Sequence, residues 1–400
     1  MACDAFPVTE ENEIRMKPTR RAKGSRSKNR AANFCLFSFV DGAFLEIKGK
    51  ISENYIVQFI DTKTNEIIHQ AQINNNHWVR TSRQYYTSWK INLLRSKDKV
   101  LVFSHQYDCS GQRVYIAIES KALGDTLAWI PLIEAFRIKH GCKVICSTFM
   151  NELFKEQYPG IQFVKPGAKV NNLYSMYRIG WFYTDNGEID YNRNVNNFRL
   201  QPLAQTCSDI LGLDYNQERP RIKCIDLPKP IENDYVCIAV HATAQAKYWN
   251  NPTGWSEVVQ FLTERNFKVV LLSQEGNEFM GNQAPEDVIQ LPPGSLDVVI
   301  NYLCYARMFI GIGSGLSWLS WAVGCKTCLI SGFSYSYTEM EDVIRISPGT
   351  SICCGCFNRY KLDASDWNWC PDYKGSPRMF ECTTTIGGKQ VINAIEKHLP

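Results

Sequence analysis

The chain has 400 residues, of which 44% are hydrophobic and 21% are charged, and its formal net charge is +4 at pH 7. This length is enough for two or three domains with their own cores. So mild a charge excludes a chain that is adapted throughout to nucleic acid. No run of about 18 apolar residues occurs, which excludes a transmembrane helix.

Residues 1–16 lack the apolar core of a signal peptide. The chain contains 16 cysteines, and most of them stand singly within apolar runs, for example Cys142, Cys146, Cys237, Cys304 and Cys328. Isolated cysteines in apolar surroundings are typical of buried, reduced thiols. We therefore expect a cytoplasmic protein.

The N-terminal part predicts two regions. Residues 1–32 form a disordered basic arm whose charge is concentrated in Lys17–Arg30, KPTRRAKGSRSKNR. The alternative is an arm that meets an acidic partner or a neighbouring subunit. Residues 33–110 contain short apolar segments separated by turn residues, such as CLFSFV, AFLEIKGK, YIVQFIDT and VLVFSH. This pattern predicts an N-terminal all-β domain.

Strands alternate with helices from residue 111 onward. VYIAIES, KVICST and IQFVKPG are predicted strands of a first α/β domain at 111–230, in which residues 172–197 form an irregular loop. Residues 220–234 are rich in proline and resemble a linker. A second α/β domain covers 231–400. Open α/β sheets bind ligands at the carboxyl ends of their strands, so the crevice between two such domains is the expected site.

The segment Met308–Gly324, MFIGIGSGLSWLSWAVG, predicts a strand over Met308–Ile312, a glycine turn and a helix that begins at Leu316. Gly313 and Gly315 allow a sharp bend that exposes backbone amides. Ser314 and Ser317 supply hydroxyls and the helix cap. A helix N-terminus of this kind favours phosphate binding. The alternative is a strand–turn–helix connection without a ligand.

Polar residues follow three other predicted strands. Asp125, in SKALGDT, is a candidate general base or a helix cap. Thr243 and Lys247, in HATAQAKYWNNP, are suited to a phosphate, and Trp249 beside them either stacks on a ligand or packs in the core. Glu275 is suited to a ribose diol, or is a surface glutamate.

A cysteine cluster lies near the C-terminus. Cys353 and Cys356 form a C-x-x-C pair, and Cys370 and Cys382 follow within thirty residues. Four thiolates at this spacing predict a tetrahedral structural site for zinc or iron. Cys354 is left over, and it is the alternative ligand to Cys353.

In this order, the LGDT, A-T-x-x-x-K-x-W and cysteine motifs resemble those of the bacterial autotransporter heptosyltransferases. These enzymes are relatives of the lipopolysaccharide heptosyltransferases of glycosyltransferase family 9. The resemblance extends from about Phe34 to the C-terminus. It implies an α/β fold of GT-B architecture with two Rossmann-like domains, the first on the acceptor side and the second binding an ADP-sugar. It also implies one iron ion held by Cys353, Cys356, Cys370 and Cys382.

The resemblance further implies inverting transfer of heptose from ADP-heptose to Ser/Thr hydroxyls of an autotransporter passenger, with Asp125 as the base. Further expectations are a ring-shaped homo-oligomer such as a dodecamer, no nucleic-acid partner and no membrane span. The lipopolysaccharide enzymes commonly read D-T-G-L-S-H where this chain has GSGLSW at 313–318. The predicted substrate-binding residues are Thr126, Thr243, Lys247, Trp249, Glu275, Gly313, Ser314, Gly315, Leu316 and Ser317.

Two alternatives to this function stay open at the level of sequence. The first is a heptosyltransferase that acts on a lipopolysaccharide-type lipid acceptor. It predicts a membrane-facing basic or amphipathic surface, which the sequence does not contain beyond the arm. The second is a metal-organised module for protein or nucleic-acid interaction, in which Asp125 and Lys247 would have no role.

Overall fold

The computed structural model describes residues 12–15, 33–224, 227–291 and 294–399. These residues divide into two compact units, and the boundaries between the units fall at several points along the chain. The first unit takes the described residues of Met1–Ser120, Leu132–Asn196 and Thr206–Tyr215. The second takes those of Lys121–Pro131, Asn197–Gln205 and Asn216–Pro400. The domain boundaries predicted from the sequence stay predictions.

Two antiparallel sheets open the first unit. Their strands are β1 (Asn12–Arg15), β2 (Phe34–Ser38), β3 (Phe44–Lys48), β4 (Asn54–Asp61), β5 (Glu66–Asn74), β6 (Trp78–Arg80), β7 (Trp89–Arg95) and β8 (Leu101–Gln106). The strand orders are β1-β2-β3-β6 and β5-β4-β7-β8. Alternate residues of β7 are buried, as a sheet with one packed face requires. Strand β1 lies within the predicted arm, whereas Lys17–Arg30 lies outside the described residues.

A four-stranded parallel sheet follows. Its strands are β9 (Arg113–Ile118), β10 (Lys143–Ser147), β11 (Gln162–Val164) and β12 (Ser175–Ile179), in the order β11-β10-β9-β12. The accompanying helices are α1 (Leu123–His140), α2 (Asn151–Phe154) and α3 (Leu203–Leu211). Residues of α1 up to Pro131 group with the second unit.

The irregular loop predicted at 172–197 is wrong in part, because it contains strand β12. This strand pairs in parallel with β9, and only Arg178 among its five residues is not buried. The Tyr177 hydroxyl donates a hydrogen bond of 2.9 Å to the Tyr107 hydroxyl, which in turn lies 3.0 Å from Ser175 Oγ. Asparagine-rich flanks concealed a strand of only five residues.

A six-stranded parallel sheet forms the core of the second unit. Its strand order is β17-β14-β13-β18-β19-β20, from β13 (Tyr235–Ala239), β14 (Lys268–Leu271), β17 (Ile289–Gln290), β18 (Met308–Ile312), β19 (Thr327–Ile330) and β20 (Ile344–Ile346). A separate hairpin joins β15 (Glu278–Phe279) to β16 (Asn282–Gln283). Every residue of β13 and β18 is buried, which is usual for a parallel sheet covered on both faces. The predicted α/β class is confirmed.

The helices of the second unit are α4 (Gly254–Glu264), α5 (Leu296–Tyr305), α6 (Gly315–Ala322), α7 (Cys356–Arg359), α8 (Glu381–Thr384) and α9 (Gly388–Glu396). One core cluster of this unit combines apolar residues of α4 and α9 with those of β13, β14, β18 and β19. Among all helices of the described residues, none is both long and apolar enough to cross a membrane.

The prediction that Cys304 is a reduced thiol is wrong. Cys304, on α5, forms a disulfide with Cys224, and their Cα atoms lie 6.2 Å apart, within the usual range. Two hydrogen bonds accompany it: Asn301 Nδ2 donates to the Pro228 carbonyl at 3.3 Å and the Tyr305 hydroxyl donates to the Leu227 carbonyl at 3.1 Å. The proline-rich segment is therefore held along one face of α5. Cys142, Cys146, Cys237 and Cys328 are free and buried, which confirms those predictions.

Replacing Cys304 by serine should lower the free energy of unfolding of the second unit by about 4 kcal/mol, because the disulfide closes a loop of 80 residues. Denaturation with and without a reductant measures this effect. The difference between variant and parent should disappear when both are reduced. Cys325→Ser is the matched control, since Cys325 is a free, half-buried thiol nearby in the sequence.

Candidate active site and cysteine cluster

Three predicted site segments begin at neighbouring strand ends. Strand β13 pairs in parallel with both β14 and β18, and Ala239 lies opposite Gly311. Parallel strands present their carboxyl ends at the same edge of a sheet. The segments that hold Thr243–Lys247, Glu275 and Gly313–Ser317 therefore leave the sheet at one edge.

The turn between β18 and α6 holds a side-chain hydroxyl that has no hydrogen-bond partner among the described residues. Helix α6 begins at Gly315, one residue earlier than predicted, and Ser314 occupies the cap position. The Ser314 hydroxyl makes no capping hydrogen bond, and Oγ is buried without a partner. A helix N-terminus offers amides that the helix itself does not use. The turn therefore has both a hydroxyl and amides available to an anion.

Two other side chains that were predicted to bind substrate donate their hydroxyl hydrogen bonds to the backbone instead. Ser317 is fully buried, and its Oγ donates a hydrogen bond of 2.6 Å to the Ile312 carbonyl. Thr126 is also fully buried, and its Oγ1 donates to the Ala122 carbonyl at 3.2 Å. Both side chains hold the local backbone and face away from solvent.

Helix α1 begins directly against the β18–α6 turn. A Cβ atom on Gly124 would lie 2.7 Å from Cδ1 of Trp318, and one on Gly315 would lie 3.0 Å from Cβ of Leu123. Such distances leave no room for a side chain at Gly124 without movement of the indole. The two glycines therefore permit the close approach of both helix N-termini. Asp125, in the first turn of α1, is placed beside the turn as a result.

Lys247 lies within electrostatic range of Asp125. Its Nζ donates a hydrogen bond of 3.3 Å to Thr243 Oγ1 and lies 5.4 Å from the centroid of the Phe333 ring. Burial lowers the pKa of the Lys247 ammonium, and the negative charge of Asp125 opposes that shift. The structure thus brings Asp125, Thr243 and Lys247 into one electrostatic neighbourhood.

Trp249 and Glu275 lie in different surroundings. Trp249 is 3% exposed, its Nε1 donates to the Ile386 carbonyl at 2.7 Å and its ring packs on Trp255. It is therefore a core residue. Glu275 is exposed after β14, where its carboxylate accepts a hydrogen bond of 3.1 Å from Ser273 Oγ. Burial lowers the pKa of the neighbouring His241, and the negative charge of Glu275 opposes only part of that shift.

Sequence analysis missed a buried ion pair next to the turn. Glu339 follows β19 and pairs with Arg345 of β20. One oxygen of its carboxylate lies 3.5 Å from the position that a Cβ on Gly313 would take. Neither residue stands in a recognisable motif. The parallel pairing of β19 with β20 brings them together, and a motif search does not reveal that pairing.

The predicted metal-binding cysteines are gathered in the second unit. Cys356, Cys370 and Cys382 are buried, and Cys353 is half-buried. Burial raises the pKa of the Cys382 thiol, and the nearby Cys356, Cys370 and Cys353 raise it further. Within the described residues, the group whose ligand atoms all lie within 4.8 Å of one another comprises Cys353, Cys356 and Asp372. Cys370 and Cys382 lie near this group but outside that limit.

Asp372 is the residue of this cluster that the sequence did not indicate. The Tyr360 hydroxyl donates to it at 2.6 Å and Arg359 Nη2 donates at 2.5 Å. The hydrogen bond from Tyr360, with the charge of Arg359, holds the pKa of Asp372 below its usual value. Arg359 Nη2 also lies 3.3 Å from Cys353 Sγ. A charged hydrogen-bond network therefore surrounds the thiols.

The cysteine segment packs against the loop that carries Lys247. In this segment (residues 353–382), Cys356, Trp369, Cys370 and Phe380 form an apolar cluster with Ala246 and Phe333. The backbone amide of Gln245 donates to the Trp367 carbonyl at 3.1 Å. Ala246 precedes Lys247 in the chain, and the Phe333 ring lies near the Lys247 ammonium. Both residues therefore pack against the cysteine segment.

Residues 202–357 match the family described as Glycosyltransferase family 9 (heptosyltransferase). The autotransporter heptosyltransferase Aah of Escherichia coli is 35% identical over 378 residues, which covers 92% of this chain and 93% of that protein. The autotransporter heptosyltransferase BAHTCr of Citrobacter rodentium is 34% identical, over 90% of this chain and 88% of that protein.

Among solved structures, the chain is similar to TibC from enterotoxigenic E. coli, with a TM-score of 0.84 and 31% identity over 91% of this chain and 95% of that chain. TibC is described as a bacterial iron-containing dodecameric glycosyltransferase. It has also been solved in complex with ADP-D-beta-D-heptose.

Replacing Ser317 by alanine should lower the free energy of unfolding by about 1–3 kcal/mol, because the buried Ile312 carbonyl would lose its hydrogen bond. Chemical denaturation measures this loss. Ser314→Ala in the same turn is the matched control and should leave stability nearly unchanged, since its hydroxyl has no partner to lose. Equal losses in both variants would contradict these assignments.

Proposed function

The chain belongs to the family of autotransporter heptosyltransferases, and from that membership we propose that it transfers a heptose from ADP-heptose to Ser/Thr hydroxyls of an autotransporter passenger. The observation that carries this proposal is the meeting of Asp125, Lys247 and the Gly313–Ser317 turn in one unit. A carboxylate, a cation and a helix N-terminus together are the groups that this transfer requires.

Asp125 acts as the general base in the proposed reaction. It accepts the proton of the acceptor hydroxyl as the oxygen attacks the anomeric carbon of the heptose. The ADP leaves from the opposite side, so the anomeric configuration is inverted. The close contact between α1 and α6 supports this role, because Asp125 belongs to the first turn of α1 and the β18–α6 turn is the proposed seat of the leaving group.

Lys247, Thr243 and the β18–α6 turn stabilise the departing ADP. The ammonium of Lys247 is partly buried, and electrostatic attraction is stronger where solvent is excluded. Ser314 adds a hydroxyl that has no hydrogen-bond partner among the described residues, and Gly313, Gly315 and Leu316 add backbone to the same turn. Glu275, at the end of β14, is suited to the ribose diol of the nucleotide.

Thr126, Trp249 and Ser317 support this site without facing the donor. Each is buried, and each gives its hydrogen bond to a backbone carbonyl. We assign them to the positioning of α1, the Lys247 loop and the β18–α6 turn respectively.

Cys353, Cys356, Cys370 and Cys382 would hold one iron ion, with zinc as the alternative metal. Thiolates are soft ligands, and the gathering of three buried cysteines and one half-buried cysteine fits such an ion. When bound, the ion would cross-link the cysteine segment. The segment packs against Ala246 and Phe333 in one apolar cluster. Because both residues are next to Lys247, the conformation of the segment affects the position of Lys247.

The finer architecture is part of the same proposal. We propose a GT-B arrangement of Rossmann-like domains at 111–230 and 231–400, preceded by the β-domain at 33–110 and the arm at 1–32. The dodecameric state of TibC supports a ring-shaped homo-oligomer. Modification of a passenger before secretion places the enzyme in the cytoplasm.

The proposed activity is tested by incubating the protein with ADP-heptose and an autotransporter passenger, followed by intact-mass measurement of the passenger. Each transfer should add the mass of one heptosyl residue. A passenger of unchanged mass, with ADP released into solution, would reduce the activity to donor hydrolysis. A passenger of unchanged mass without ADP release would contradict the proposal.

Asp125→Asn should lower the rate of transfer by a factor on the order of 10²–10⁴, since general-base catalysis typically contributes that much. ADP binding should persist, because the amide keeps the size of the side chain and the diphosphate groups are untouched. The rate is followed by passenger mass and the binding by calorimetry. Lys247→Ala is the contrasting variant and should weaken ADP binding as well as transfer.

Cys370→Ser should lower the bound metal measured by elemental analysis and reduce the melting temperature by about 5–10 °C, the shift expected for a loss of a few kcal/mol in a unit of this size. Cys142→Ser is the matched control, because Cys142 is a buried free thiol of the first unit. A Cys370 variant with full metal content and unchanged melting temperature would remove Cys370 from the ligand set.

A further inference from the structure

We propose that the buried ion pair of Glu339 and Arg345 sets the charge next to the β18–α6 turn and thereby determines how tightly the turn binds a diphosphate. The inference rests on the proposed function, because it takes the turn as the seat of the ADP diphosphate. Both residues act through the turn, so they are positioning residues rather than catalytic ones.

The pair is held in one geometry. Glu339 is 8% exposed, and its Oε1 accepts hydrogen bonds from Ser331 Oγ at 2.9 Å and Ser334 Oγ at 2.5 Å. Arg345 is paired with the other carboxylate oxygen, and its Nη2 donates to the Ser334 carbonyl at 2.7 Å. A buried carboxylate is stable only when charge and hydrogen bonds compensate it. Arg345 and the two serines provide that compensation.

The carboxylate also lies directly against the turn. The position of a Cβ on Gly313 is 3.5 Å from Glu339 Oε1 and 3.7 Å from Ser331 Oγ. These are ordinary van der Waals distances, so the side chains of Glu339 and Ser331 cover the face of Gly313 from which a side chain would project. The charged oxygen of Glu339 therefore lies within van der Waals contact of the position that a substituent on Gly313 would take.

This proximity matters because the turn is to bind an anion. With Arg345 present, the pair has no net charge and the carboxylate is masked. Without Arg345, a buried negative charge would stand beside the diphosphate, where solvent screens it weakly. Without Glu339, the positive charge of Arg345 would remain. The two neutralising substitutions should therefore change ADP affinity in opposite directions, although both reduce stability.

The same geometry explains the glycine at position 313. An aspartate there would bring a second carboxylate against Glu339 Oε1. Like charges at such a distance repel, and the aspartate would also add negative charge at the diphosphate. Gly313→Asp should therefore weaken ADP binding more than the isosteric Gly313→Asn. Removing the charge of Glu339 should reduce the difference between them.

The test measures ADP binding by isothermal titration calorimetry with the full chain. Arg345→Gln should raise the dissociation constant about threefold or more, and Glu339→Gln should lower it. The double variant should lie between the two. Melting temperatures are recorded for every variant, so that a change in affinity is compared with the loss of stability. If Arg345→Gln does not fold, the comparison of Gly313→Asp with Gly313→Asn decides when it is made both in the unaltered chain and in Glu339→Gln, because only a contribution from Glu339 makes the difference smaller in the latter.

Equal weakening of ADP binding by Arg345→Gln and Glu339→Gln, in proportion to their losses in melting temperature, would overturn the inference and leave a structural role alone. Equal affinities of Gly313→Asp and Gly313→Asn would also overturn it. The proposed function fails in a different way: the unaltered protein would not bind ADP, or Lys247→Ala would bind it as well as the unaltered protein does.

Discussion

The parallel pairing of β13 with β18 is the constraint on which the candidate site depends. Val236 to Ala239 lie opposite Met308 to Gly311, and all residues of both strands are buried. Slipping such a pair by one residue would turn every side chain to the other face of the sheet, so the register is strongly determined. The lysine loop after β13 and the glycine turn after β18 consequently begin at one level of the sheet edge. Their shared place follows from core packing rather than from any contact between the loops.

The sequence was sufficient for the elements that carry this constraint. Alternation of apolar strands with helices predicted the α/β class, and Met308–Ile312 has the bounds expected for β18. Their positions after predicted strands also indicated Asp125, Thr243 and Lys247 as candidates for one ligand site. The sequence could not indicate which hydroxyls turn inward, because the direction of Ser317 and Thr126 depends on the carbonyl that each one reaches. The sequence also could not show that the lack of a Cβ at Gly124 makes room for Trp318.

Contacts between residues far apart in the sequence were the least predictable. The disulfide joins cysteines separated by 80 residues, and the apolar surroundings of Cys304 in the sequence concealed its place on the surface of α5. Spacing did predict that Cys353, Cys356, Cys370 and Cys382 would gather. It gave no reason to include Asp372, whose place beside the thiols depends on hydrogen bonds from Tyr360 and Arg359. Short motifs reveal shared chemistry, but they do not reveal partners from other elements.

The charges around the turn are balanced in a way that suits an anionic leaving group beside an anionic base. As the proposed base, Asp125 must remain a carboxylate to accept a proton, yet a diphosphate bound at the turn would repel it. Lys247 lies in the field of Asp125, and its ammonium is partly removed from water by Phe333 and the cysteine segment. Burial alone would favour loss of its proton, whereas Asp125 favours its retention. One lysine can thus separate the base from the diphosphate, and the second carboxylate of the neighbourhood, Glu339, is compatible with this arrangement only because Arg345 neutralises it.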